Sequence, residues 1–201
     1  MPALKSVTRS TLREIQRVLP RQAAYTKGMK RALNNKVQKA QKKFLDNFEK
    51  HPVTMEISAG ASATNISGTL GGVGNLFSYI GFSAGSQPLA ALRPLLAQYE
   101  IRYHHTKTKT IINITVPVAA AIFKVTPLPW APGRSWVKGI ETGISGLGRY
   151  LYQNSANSRS GAAVQAKGRL RGSKFNNTSY LSSLLKDYYK EIRKIEKETL
   201  T

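Results

Sequence analysis

The sequence predicts an α+β fold: a small antiparallel sheet packed by helices, with long N-terminal and C-terminal amphipathic helices. Three observations predict it. Met29, Leu33, Val37, Ala40, Phe44 and Phe48 recur at steps of three and four, the spacing of one helix face. Leu181, Leu184, Leu185, Tyr188, Ile192 and Ile195 form a second such seam. Between them, strand-like runs at 100–106 and 110–116 flank Lys107-Thr108-Lys109, the pattern of a hairpin.

The elements follow in order. Thr11-Leu12-Arg13-Glu14 has the form of a helix capping box, and Lys5, Arg9, Arg13, Arg17 and Arg21 recur every fourth residue. A helix gathers those cations into one stripe until Pro20 ends or kinks it. Residues 1–22 therefore read as a basic N-terminal arm, and 23–201 as a single α+β domain. The long helix is expected over 23–50, stopped by His51-Pro52, because the residue before proline avoids helical geometry. Val53, Met55 and Ile57 alternate with Thr54, Glu56 and Ser58, which predicts a half-buried strand. Residues 59–75 are small, polar and glycine-rich, a flexible loop. Residues 76–82 read as a second strand or an anchored extended segment, with Phe77, Tyr79 and Phe82 tying the loop to the core.

A short helix is expected over 89–99 despite Pro94, and a helical turn over 119–123. Three prolines make 126–133 irregular. A helix over 135–153 presents Trp136, Ile140, Ile144, Leu147 and Leu151 on one face. Gly139, Gly143 and Gly146 lie on or beside that face, at up to ~1 kcal/mol of helix propensity each, which makes sense if another backbone approaches closely there. Residues 155–173 are small, polar and basic, a mobile loop. Asn177 or Thr178 caps the last helix, which runs to about residue 198.

Composition narrows the function. The 201 residues are 41% hydrophobic, enough for one core, and contain no cysteine, so no disulfide framework or thiolate metal site is possible. Lys and Arg number 31 against 10 acidic residues, a net charge of +21. The excess is uneven: residues 1–50 hold 13 basic and 3 acidic groups, whereas 51–100 hold one basic and two acidic. Such a balance points to a polyanion or an acidic protein surface as partner, or simply to a basic solvated face. The first 45 residues hold one acid, Glu14, as a transit peptide would, but the helical pattern runs well past a presequence. The most apolar run, 111–125, is too short to span a bilayer and is interrupted by Asn113 and Pro117, so no membrane role is expected.

The chemical motifs in the chain fall short of their patterns. In GTLGGVGNLFSYIGF (68–82) a phosphate loop needs Gly-Lys-Ser/Thr, but Gly74 is followed by Asn75-Leu76. A dinucleotide fingerprint needs glycine where Phe77 stands. His104 and His105 are adjacent on a strand and point to opposite faces, and His51 stands alone, short of the three or four convergent ligands of a metal site. Between residues 51 and 150 the carboxylates are Glu56, Glu100 and Glu141, with nothing to mark a catalytic pair. Gly143-Ile144-Ser145-Gly146 lacks the spacing of a nucleophile elbow. No catalytic residue, cofactor or metal is expected. Arg9, Arg13, Arg17, Arg159, Arg169 and Arg171 are the candidate contacts to DNA or an acidic partner. No sequence-reading nucleic-acid motif accompanies them.

Several segments carry a resemblance. HPVTMEI (51–57), ISGTLGGVGNLFSYIGF (66–82), TPLPWAPGRSWVKGIETGISGLGRYLY (126–152) and SRSGAAVQ (158–165) resemble virion proteins of tailed bacteriophages. The nearest class is the neck or tail-completion (head-tail connector) proteins, and the helix start at 180–185 after Phe175-Asn176-Asn177 is similar to that class too. The resemblance spans most of 44–190. It implies no enzymatic activity, no cofactor, and a homo-oligomeric ring in the virion, assembled in the host cytoplasm, around the channel that DNA traverses. Its implied partners are further copies of the chain, the portal or adaptor proteins, the tail-tube or terminator proteins, and packaged DNA by non-specific contact. A ring subunit needs packing faces, and the expected ones are Leu33, Val37, Phe44 and Phe48; Trp136, Gly139, Gly143 and Leu147; and Leu181, Leu185 and Tyr188. The alternatives are a non-specific nucleic-acid-binding basic protein and a tail terminator or other tail component.

Overall fold

The computed structural model describes residues 23–72, 74–105, 110–143, 150–152, 164–165 and 175–199. The expected basic arm 1–22, the expected hairpin turn 107–109 and most of the expected loop 155–173 lie outside the described residues. In chain order the elements are α1 Ala23–Lys50, α2 Pro52–Ala59, α3 Leu76–Ile80, α4 Leu92–Leu96, β1 Glu100–His105, β2 Thr110–Thr115, α5 Ala119–Lys124, β3 Pro127–Leu128, β4 Ala131–Ser135, α6 Trp136–Thr142, β5 Tyr150–Tyr152, β6 Val164–Gln165 and α7 Leu181–Thr199. The class is α+β, with long helices near both ends as the two seams predict. Among the described residues the expected single sheet is instead three separate two-stranded antiparallel ladders, β1-β2, β3-β4 and β5-β6.

The described residues gather into two compact units, where the sequence reading drew one domain over 23–201. Of the described residues, the first comprises 23–42, 99–105, 110–116 and 188–199. Here α1 buries Leu33 and Val37, and α7 buries Tyr188, Ile192 and Ile195. The hairpin pairs Glu100 with Thr115 through to His105 with Thr110, without a bulge. It is fastened to α1 by Tyr99, whose hydroxyl donates to Asn34 Oδ1 at 3.0 Å, and by Lys30, whose Nζ sits 4.8 Å from the centre of the Tyr103 ring.

Of the described residues, the second unit comprises 43–72, 74–98, 117–143, 150–152, 164–165 and 175–187. Its core is built around Phe48, Trp136 and Tyr180, all essentially inaccessible. Tyr180 stacks on Phe48 at 6.3 Å and lies 6.4 Å from Trp136, whose ring Phe82 meets edge-on at 5.9 Å. Such pairs add ~0.5–1.5 kcal/mol each beyond the area they bury. The expected aromatic anchoring of the glycine-rich loop holds. Phe77 is buried against Phe82 at 5.3 Å, and Tyr79 stacks on Phe175 at 5.7 Å.

Four local expectations are corrected. Residues 53–58 are helix α2, not a strand. Pro52 takes the first helical position, His51 before it is extended, and its Nδ1 accepts from the Val53 N–H at 3.2 Å. The apparent alternation contains the pair Val53 and Ile57, four apart and both buried, while Met55 faces outward. Residues 76–82 form helix α3, capped by Asn75, which accepts from the Ser78 N–H at 2.7 Å, and ended by Gly81. The proline-rich 126–133 yields strands β3 and β4 with an irregular register. The helix expected over 135–153 stops after Thr142: Gly143 adopts φ 87°, and residues 150–152 are strand β5, paired with β6.

Candidate functional site

Three polar constructions engage Glu56, Glu141 and Glu100, and one groove in the second unit gathers three cations. The first centres on Glu56, whose side chain is buried in α2. Its Oε1 accepts from the Leu76 N–H at 2.6 Å and Asn65 Nδ2 at 2.9 Å, and its Oε2 from the Ser67 N–H at 2.9 Å. Asn65 relays the arrangement outward, its Oδ1 accepting from the N–H groups of Leu70 and Gly72 at 2.9 and 3.1 Å. The Thr69 carbonyl in turn accepts from the Asn176 N–H at 2.9 Å. Gly68, Gly71, Gly72 and Gly74 all take positive φ. The glycines thus serve a loop folded over a buried carboxylate.

The second construction is the start of α7. Glu141, on α6, accepts from the Ser182 N–H at 2.6 Å and the Tyr180 N–H at 3.2 Å. The helix N-terminus is capped by a carboxylate from another helix, where the sequence pointed to Asn177 or Thr178. The third is exposed: Glu100 holds Arg102 Nε at 2.8 Å on β1. His51, besides capping α2, lies with its ring tilted at 45° and 4.8 Å from the Tyr180 ring. Burial holds its imidazole below the ordinary value, against the raising pull of the Ser179 backbone and Glu141. Burial also raises the Tyr180 phenol well above its usual range, and its hydroxyl hydrogen-bonds to Thr54 Oγ1 at 2.8 Å. Among the described residues no group of three or more His, Asp or Glu side chains is placed to hold a metal ion.

The groove is open, about 730 Å³ in volume, and lies where α5, β4 and α6 pack against one another. Lys124, Arg134 and Lys138 line it, with Phe123 and Thr142, and no carboxylate does. Ser135, which lines it, is held by Thr126, the two hydroxyls lying 2.7 Å apart. Ser135 Oγ also caps α6 by accepting from the Lys138 N–H at 3.2 Å. The Arg134 guanidinium sits 5.7 Å from the Trp130 ring, and Trp130 Nε1 donates to the Ile80 carbonyl at 2.9 Å. Sequence reasoning missed these three cations. They are isolated in an apolar stretch and follow no period; only the packing of three elements brings them to one place.

The expected packing faces are placed differently. Leu33, Val37, Phe44, Phe48, Trp136, Leu181, Leu185 and Tyr188 are each 3 % exposed or less within this one chain. They are core side chains, because the chain's own folding covers the seams, and they offer no surface to a second copy. Gly139 is buried, and Gly143 ends α6 with Asn177 Oδ1 3.3 Å from where a Cβ would stand. Leu147 and the candidate contacts Arg9, Arg13, Arg17, Arg159, Arg169 and Arg171 lie outside the described residues. No helix among the described residues is long and apolar enough to cross a membrane. In comparisons with known proteins, no family model, curated protein or solved structure matched the chain.

Proposed function

We propose that this chain is a structural component of a tailed-phage virion, a neck or tail-completion protein that forms a ring around the DNA channel and performs no catalysis. The observation that carries the non-catalytic half is the assignment of the carboxylates. Glu56, Glu100 and Glu141, the acids available to a hydrolase between residues 51 and 150, are each engaged: two by main-chain N–H groups and one by Arg102. A general acid or base must face a substrate proton within hydrogen-bond reach; Glu56 and Glu141 instead face the backbone they organise.

The virion half is supported by the phrasing of 51–57, 66–82, 126–152 and 158–165, and by a net charge of +21 suited to acidic protein or DNA neighbours. With the seams occupied as core, the surfaces left for sister subunits include the outer edges of β1 and β2. No third strand joins that ladder among the described residues. A two-stranded sheet is marginal alone, and open strand edges pair with other chains.

Light-scattering mass measurement of the purified chain, together with imaging of particles that carry it, tests the reading. The expected results are a closed oligomer and density at the head-tail junction. A chain that stays monomeric at all concentrations and is absent from particles ends it. The basic groove favours a second reading, a non-specific nucleic-acid-binding protein, which predicts DNA affinity that falls steeply with salt.

A further inference from the structure

We infer that the groove between α5, β4 and α6 is a sequence-independent binding site for the phosphate backbone of nucleic acid. Lys124 ends α5, Arg134 lies on β4 and Lys138 lies on α6, all three exposed. These elements pack against one another, so the three charges are held around one cleft rather than spread over a flexible surface. Among the described residues neither Lys124 nor Lys138 has a carboxylate partner, and no acidic side chain lines the groove. Like charges held together repel, and an anion relieves that repulsion.

The lining selects among anions. Protein interfaces are anchored by buried aromatic side chains at a centre depleted of charge. Here the charges surround the cleft and the one aromatic in it, Phe123, is half-buried. Nucleic-acid interfaces are polar and strongly positive instead. Base edges are read by amide, carboxylate and arginine side chains. The groove has no amide or carboxylate side chain, and its arginine lies over the Trp130 ring. What remains is contact to phosphates, which positions a strand without reading it. The inference is independent of the virion reading: a monomer absent from particles that still bound DNA here would end that reading and leave this one standing.

The test is fluorescence anisotropy of the full chain with two labelled duplexes of unrelated sequence, each about twenty base pairs, across a salt series. The groove variant is Lys124→Gln/Arg134→Gln/Lys138→Gln. A control of equal charge change is Arg31→Gln/Lys39→Gln/Lys42→Gln, at exposed positions of α1. Thermal melting verifies that each is folded. Each lost phosphate contact lowers the slope of log affinity against log salt by about 0.9, so the groove variant is expected to lose about 2–3 in slope and at least tenfold in affinity near ~100 mM salt. The control is expected to lose less than about threefold, and the two duplexes to bind alike. Lys124→Arg/Lys138→Arg keeps the charge and should retain binding. Equal losses in both triple variants, no loss in the groove variant, or no DNA binding at all overturns the inference. Tighter binding of poly-glutamate than of duplex at matched charge and salt also overturns it, assigning the groove to an acidic protein.

Discussion

A carboxylate with no solvent contact needs compensation, and among the described residues no cation stands within ion-pair distance of Glu56. Its compensation is the N–H dipoles of Ser67 and Leu76 and the Asn65 amide. Removing the acceptor strands those donors in the interior, at ~1–3 kcal/mol each. Glu56→Ala is therefore expected to cost about 3 kcal/mol or more in urea unfolding, and to speed hydrogen exchange at Ser67 and Leu76 ahead of the rest of the unit. His51 makes a pH-dependent contribution. Its Nδ1 accepts from Val53 only when unprotonated, and burial holds its folded pKa below that of a free imidazole. The unfolded chain then binds the proton more readily. The contribution is full above the unfolded value and is lost as pH falls from there through the folded pKa. His51→Asn keeps a capping acceptor without a titrating ring. Unfolding measured across that window should show a shallower pH dependence for the variant than for the wild type.

At the scale of elements, helix ends set the boundaries. α7 begins where Glu141 meets the N–H groups of Tyr180 and Ser182. Glu141→Ala is expected to cost about 1–2 kcal/mol and to fray the first turn of α7. Thr178→Ala, at one of the two positions that local sequence favours as the cap, should stay within about 0.5 kcal/mol. α6 ends because Gly143 takes φ 87°, a geometry side chains resist, with Asn177 Oδ1 already against the position of its missing Cβ. Gly143→Ala should lower stability by about 1–3 kcal/mol, and chemical denaturation reads it directly.

For the whole molecule, the question is what the apolar seams do. Phe48 is fully buried and stacks on Tyr180. As core, Phe48→Ala should cost about 3–5 kcal/mol of unfolding free energy. As an interface residue it would instead lower the mass of the assembly and leave the protomer as stable as before. Light scattering beside urea titration separates the two, and the core outcome is expected. The net charge of +21 acts at the same scale, favouring anionic partners and disfavouring crowding of like-charged copies. A ring therefore needs either acidic neighbours or paired strand edges to hold it.

Long-period signals were legible from the chain alone. The Met29–Phe48 seam fixed α1, because many residues vote for one face and no local cap competes. The hairpin 100–115 was equally plain, since two alternating runs about a short turn leave little choice. Short elements were not legible. Val53, Met55 and Ile57 satisfy a strand's period of two, and Val53 and Ile57 also satisfy a helix's step of four; over six residues the two patterns coincide. Proline and histidine chemistry at 51–52 decided for the helix. The candidate site lies further from sequence still. Glu56 meets partners 9, 11 and 20 residues away and Glu141 partners 39 and 41 away, and the three cations of the groove share no spacing. By itself the sequence determined the α+β class, the two long helices, the hairpin and the cationic character, because each is a sum over many residues. Only the tertiary structure decided which carboxylates hold backbone, that the seams are core, and where three cations meet, because those depend on contacts between residues that no local pattern brings together.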